Sequence, residues 1–166
     1  MRRVLGVLAF LCLGCSGLTE QLLEAVGGGI EYADDGSIIV QMPDGSRLRT
    51  VVGADLPEGY PLPPPSEDAT PSVLTYVDHA DGRTAITAVY PYEITEEQVA
   101  ARYDPWFTKR GGGRSDPHAL EGALALQQWS MPYEGGRLEV VASRPAIGDA
   151  SINLVWEKPP AADATP

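Results

Sequence analysis

"VLTYVDHADGRTAITAVYPYEITEEQVAARYDPWFTKRG", residues 73–111, changes its hydrophobic period midway, and that change decides the fold class. Val73, Thr75 and Val77 alternate with Leu74 and Tyr76, the two-residue period of a strand. "DHADGR" then turns the chain into a second strand, Thr84 to Tyr90. Beyond Pro91 the period lengthens to that of a helix. Thr95 is placed as its N-cap with Gln98 as the capping-box partner, and Ile94 and Val99 occupy the two positions of a hydrophobic staple. Glu96 and Glu97 fall at the positive end of the helix dipole, Lys109 and Arg110 at the negative end, and Gly111 supplies a left-handed stop. The apolar stripe is Val99, Tyr103, Trp106 and Phe107, and Pro105 within it is predicted to remove one hydrogen bond and kink the helix near Ala101.

Downstream, Leu124 to Met131, Leu138 to Ala142 and Ser151 to Trp156 read as three further strands, with "YEGGR" closing the first hairpin. Ile152, Leu154 and Trp156 share one face of the last strand, with Ser151, Asn153 and Glu157 on the other. The order strand, strand, helix, three strands predicts an α+β domain over residues 73–158: an antiparallel ββαβββ sheet with one amphipathic helix on one face. The tail, 159–166, reads as disordered. Upstream, Ile38, Val40 and Met42 share one strand face and Leu48, Thr50 and Val52 another, with "ADDGS" and "PDGS" as turns, so residues 30–54 read as a small β-meander. Between the two units, 55–72 is a proline-rich connector ("DLPEGYPLPPPSEDATP"), read as a semi-rigid spacer in preference to a PxxP recognition ligand.

The N-terminus has its own grammar. Arg2 and Arg3, an uncharged stretch from Val4 to Leu13 and a small Gly14 form the layout of a secretory signal, too short to span a bilayer. The tetrad Cys12-Leu13-Gly14-Cys15 resembles the lipobox of bacterial prolipoproteins. That resemblance implies a signal peptide at 1–14, a lipid-bearing Cys15 as the new N-terminus and, with Ser16 following it, delivery to the outer membrane. Residues 15–29 would then be anchor and stalk, with Leu22, Leu23 and Val26 at helical spacing after a Thr19 cap and before Gly27-Gly28-Gly29. An ordinary signal cut near Gly17 and a Cys12–Cys15 redox pair are the competing readings, the latter without the strand-to-helix context such a pair needs. Cleavage before Cys15 leaves one cysteine and so no internal disulfide. The whole layout, with its acidic hairpin and the Leu56-Pro57-Glu58-Gly59-Tyr60-Pro61-Leu62-Pro63 connector, is similar to small bacterial envelope lipoproteins of uncharacterised function.

Composition narrows the partners. The net charge is −11, and removing Arg2 and Arg3 takes it to −13. Such a chain is repelled by phosphates and anionic head groups, which argues against nucleic acid and leaves membrane affinity to the lipid on Cys15. Candidate chemistry is sparse. Asp78, His79 and Asp81 lie within four residues but lack the spacing of a calcium loop. "KRGGGRS", 109–115, has the glycines of a phosphate loop, yet it leaves a helix C-terminus, where the dipole is negative; it reads as a capped helix followed by a mobile loop. His118, the other histidine, stands apart. Trp106, Trp129 and Trp156 fit core positions, whereas Tyr60, Tyr90 and Tyr92, beside prolines, are expected to be partly exposed. The sequence therefore predicts no catalytic, cofactor-binding or metal-ligating residue. It predicts a membrane-anchored chain with an envelope protein as its partner, the alternative being a glycan-binding or carbohydrate-active protein.

Overall fold

The computed structural model describes residues 29–91, 95–115, 123–145 and 150–160. Cys12, Cys15 and the residues around them, Tyr92, Ile94, His118 and the tail from 161 lie outside the described residues. The chain runs β1 (Ile30–Tyr32), β2 (Ile38–Gln41), β3 (Arg47–Val52), β4 (Val73–Asp78), β5 (Thr84–Pro91), α1 (Glu96–Thr108), β6 (Gly113–Ser115), β7 (Ala123–Tyr133), β8 (Gly136–Pro145) and β9 (Ser151–Lys158). All nine strands form one antiparallel sheet in the order β1-β2-β3-β4-β5-β9-β8-β7-β6.

This order corrects the expected topology in two places. The meander does not stand before the main sheet: β3 pairs with β4 along its full length, from Arg47 opposite Asp78 to Val52 opposite Val73. The "mobile loop" after the helix is instead β6, which pairs with β7 and makes the far edge. The helix thus carries the chain from central β5 to that edge, after which β7, β8 and β9 step back until β9 pairs with β5.

Three hairpins share one five-residue turn, and its chemistry is local. In each, an Asp-Gly pair precedes the residue that closes the turn, and the Asp carboxylate accepts a hydrogen bond from that residue's N–H: Asp35 from Ser37 (3.0 Å), Asp44 from Ser46 (2.9 Å) and Asp81 from Arg83 (3.2 Å). The glycines take φ of 78°, 85° and 83° at Gly36, Gly45 and Gly82, a region closed to most side chains. The β7–β8 hairpin is tighter and puts Glu134 at φ 47° before Gly135.

The main core lies on the helix side of the sheet. In register across the strands run the rows Tyr76–Ile86–Trp156–Leu138–Met131 and Leu74–Ala88–Leu154–Val140–Trp129. Helix α1 presses the fully buried Val99, Tyr103 and Phe107 onto them, and its capping box forms as expected, with Gln98 N donating to Thr95 Oγ1 and Thr95 N to Gln98 Oε1. The helix continues through Pro105 to Thr108. Gly111 takes the left-handed φ of 79° anticipated for it. Gly112 follows because a Cβ there would sit 2.7 Å from Met131 Cβ and 2.9 Å from Phe107 Cδ1.

The proline-rich connector is the other half of this layer. Leu62 is 2% exposed in the main core, with Leu56 and Tyr60 packed against it. Tyr60 Oη donates to the Leu154 carbonyl (2.7 Å), while Tyr103 Oη and Arg102 Nε donate to the carbonyls of Pro63 (3.0 Å) and Pro64 (3.1 Å). Proline lacks an N–H but keeps its carbonyl and an apolar ring, so such a segment can cover a sheet without joining it. It is therefore not a spacer between two units. Tyr90, expected to be partly exposed, is buried, because the alternation that exposes Pro91 turns Tyr90 toward the helix. Tyr60 is half-buried.

Candidate functional site

The sheet changes its apolar side between β3 and β4. On the helix side β1 to β3 carry Glu31, Gln41, Arg47 and Arg49 beside two apolar residues, Ile39 and Val51, while Ile30, Ile38, Val40, Leu48 and Val52 lie on the opposite, outer side. Along β2 to β5 the outer rows are Val40–Leu48–Val77–Ala85, Ile38–Thr50–Thr75–Thr87 and Val52–Val73–Val89, without a charge among them. On β8 and β9 this face becomes charged, with Arg137, Glu139 and Glu157. β4 and β5 are consequently uncharged on both faces through most of their length, the pattern of strands covered on both sides.

Among the described residues, nothing from the helix or the connector reaches this outer face. Its cluster, Val40, Leu48 and Val77 with Ile30, Ile38, Met42 and Ala85, comes from β1–β5 and the residue after β2. Even so, Val40, Leu48 and Val77 are buried to 2%, 4% and 5% exposure, and Thr75 to 3%. Thr50 Oγ1 is buried there without a hydrogen-bond partner. On the same face, Tyr32 of β1 and Val52 at the end of β3 are the exposed large hydrophobic residues among the described residues, at 75% and 73%.

A second feature lies at the end of the sheet. Gly82, Thr84, Glu134, Trp156, Lys158, Pro159 and Pro160 frame an open cleft of about 520 Å³. Trp156 is half-buried, meeting Tyr60 edge-on at 5.8 Å, and Lys158 Nζ lies 3.8 Å from its ring centroid. The ammonium occupies one face of the ring, a cation–π contact that leaves less of the indole for a ligand.

The other residues singled out in the sequence have structural employment. Trp129 is fully buried and its Nε1 donates to Asp104 Oδ1 (2.8 Å); Arg114 clamps both oxygens of the same carboxylate at 2.8 Å. Those hydrogen bonds, the Arg114 one foremost, hold the Asp104 carboxyl below the usual carboxylate range. Trp106 is half-buried on α1 and stacks under Arg110, whose guanidinium carbon is 4.0 Å from the ring centroid and which donates to the Trp106 carbonyl (3.1 Å). In the "DHAD" turn, Asp81 binds Arg83 Nε (2.8 Å) and Asp78 accepts from Thr84 Oγ1 (3.2 Å), so the two carboxylates face different partners. Among the described residues no group of three or more His, Cys, Asp or Glu side chains is placed to hold a metal ion. The helix crossing β6 and the Asp104–Trp129 bond escaped the sequence reading, since an Asp on an exposed helix position gives no signal of a partner 25 residues away.

Comparison of the chain with protein-family models, curated proteins and solved structures gives no match. No described helix is long and apolar enough to cross a membrane.

Proposed function

We propose that this chain is a lipid-tethered, non-catalytic module of the bacterial envelope, held at the outer membrane by an acylated Cys15 and docking a protein partner at the β1 edge of its sheet. The observation that carries the docking is the outer edge of β1, unpaired among the described residues, with exposed Tyr32 on it and exposed Val52 at the end of β3 on the same face, which is uncharged from β2 to β5, in a chain of net charge −11. An edge strand offers unpaired N–H and C=O groups to an incoming strand, and adjacent side-chain contacts add selectivity. The tether rests on the signal-like N-terminus and its lipobox resemblance. Cross-linking mass spectrometry on intact cells tests both, comparing wild type with Cys15→Ala. A discrete envelope protein linked near Tyr32 in the wild type alone supports the proposal; links confined to glycan, or none above background in either form, refute it.

The cleft at Trp156 favours a second reading, glycan binding, because a half-buried indole lies there with Thr84, Glu134 and Lys158 around it. Trp emission that is unchanged by cell-wall fragments would remove its support.

A further inference from the structure

We infer that the corner of the molecule at the C-terminus of α1 rests on an anionic lipid headgroup surface, with Lys109, Arg110 and Lys158 as its cations and Trp106, Tyr133 and Trp156 as its interfacial aromatics. The acidity of the whole chain hides this corner. Of the chain's 12 Lys and Arg, Arg102, Lys109, Arg110 and Arg114 fall within residues 102–114, against Asp104 alone of its 23 Asp and Glu. Arg114 is tied to Asp104, and Arg102 donates to the Pro64 carbonyl. Among the described residues the ion-paired cations are Arg49, Arg83, Arg114 and Arg137, so Lys109, Arg110 and Lys158 stand outside any ion pair there.

The register joins these side chains into one surface. Tyr133 is opposite Gly136, a Cβ at Gly136 would lie 3.2 Å from Lys158 Cα, and Lys158 is opposite Thr84. This row ends the helix side of the sheet, two residues beyond Met131, Leu138 and Trp156. Close packing of Gly112 on Met131 sets the end of α1 against the same row. Arg110 accordingly acts on Tyr133: burial first and then Glu134 push the Tyr133 hydroxyl up, and Arg110 pulls it down. Glu134 is the carboxylate that shares the corner, while Asp81, on the β4–β5 turn, is paired with Arg83.

The chemistry suits a bilayer better than an acidic protein. Two of the cations lie on indoles, Arg110 with its guanidinium carbon 4.0 Å from the Trp106 ring centroid and Lys158 with Nζ 3.8 Å from that of Trp156. Each pair orders a long side chain before any anion arrives and sets an apolar ring at the level of the charge. Trp and Tyr among Lys and Arg are the composition of headgroup depth, where rings meet the acyl boundary and the cations reach phosphates. An acidic protein surface would pair with the cations and leave the half-buried rings without an apolar partner. The net charge of −11 does not prevent the contact. Nine strands about 4.8 Å apart place β1 about 38 Å from β6, several Debye lengths of about 8 Å, so carboxylates on the β1 half are screened from it. The same separation keeps the β1 edge clear of the bilayer.

The inference rests on the proposed tether only for the nearness of a membrane, so the test removes the acyl site. The full chain with Cys12→Ser and Cys15→Ser is floated with vesicles of phosphatidylcholine, with and without phosphatidylglycerol. Each cation near an anionic surface strengthens binding about fivefold, so adding Lys109→Gln and Arg110→Gln should lower partition onto the anionic vesicles about twenty-five-fold. Partition onto phosphatidylcholine alone should not change, and Arg2 and Arg3, present in both proteins, cancel from the ratio. A loss below about threefold overturns the inference. With α1 unaltered, anionic vesicles brominated near the headgroup should quench part of the Trp emission, and Trp106→Phe should reduce that quenching. Binding without quenching, or binding to polyglutamate and not to vesicles, also overturns it. A Cys15 that is not acylated in cells would refute the tether and leave this result standing.

Discussion

Asp104 should be worth far more to this fold than the arginine it pairs with. Its carboxylate receives two hydrogen bonds from Arg114 and one from Trp129 Nε1, all at 2.8 Å. The two donors differ in what they lose when it goes. Arg114 and Asp104 side chains are 48% and 46% exposed, so their ion pair is screened and contributes about 0.5 kcal/mol. Trp129 is fully buried, and Asp104→Ala leaves its N–H facing no acceptor, a desolvation cost of about 1–3 kcal/mol. The expected totals are about 2–3 kcal/mol for Asp104→Ala and about 0.5 kcal/mol for Arg114→Ala. In a Trp129→Phe background, where no donor is left orphaned, Asp104→Ala should fall to about 0.5 kcal/mol, a coupling of about 2 kcal/mol. Urea unfolding followed by far-UV circular dichroism measures all four variants without relying on the indole. Equal costs for Asp104→Ala and Arg114→Ala, or a coupling below about 0.5 kcal/mol, would refute the reasoning.

Other substitutions probe separate parts of the argument. Leu62→Ala should cost about 2–5 kcal/mol in the same urea assay if the connector belongs to the core, against nearly nothing for a spacer. Gly112→Ala should cost about 1–3 kcal/mol, because Met131 and Phe107 must both move, and thermal melting would show it as a lowered Tm. Glu134→Gly should stabilise the chain by about 0.5 kcal/mol or more by relieving a positive φ, read as a raised Tm. Acid should weaken the β1–β2 hairpin in a defined window: hydrogen bonds from the Ser37 side chain and backbone, then Arg49, hold Asp35 down to about 2 from 3.8. A depressed carboxyl favours the fold above its unfolded value and loses that contribution as pH falls from 3.8 towards about 2, so melting followed across that range should show a loss that Asp35→Asn diminishes.

What the sequence revealed depended on how far apart the cooperating residues lie. The helix start was legible because Thr95 and Gln98 answer each other within one turn, and the hairpins because each Asp-Gly pair makes its own bond two residues on. Pairing of β3 with β4 was hidden behind the connector, since register across a long excursion is set by matching of whole strands. β6 was missed because Gly113, Arg114 and Ser115 show no alternation and owe their place to β7 and to Asp104. The connector misled for a related reason. Proline density describes what a backbone cannot donate, and Leu62 is placed by the cavity it fills. The uncharged run of β4 and β5 was visible in the letters, but which of its two faces the helix packs on was not.

The three Asp-Gly turns also bear on how this molecule ages. An aspartate followed by glycine is prone to cyclise, the glycine nitrogen attacking the protonated side-chain carboxyl to give a succinimide and then isoaspartate. Here Asp35, Asp44 and Asp81 are each tied to the N–H two residues ahead, and each is held ionised to lower pH than a free aspartate. For Asp35, held down to about 2 from 3.8 by the Ser37 hydrogen bonds and Arg49, less of the reactive acid form remains near neutrality than in a free aspartate. The bond that shapes each hairpin also withholds the carboxyl from the reaction its neighbour invites, and unfolding would return all three sites to the chemistry of the open chain.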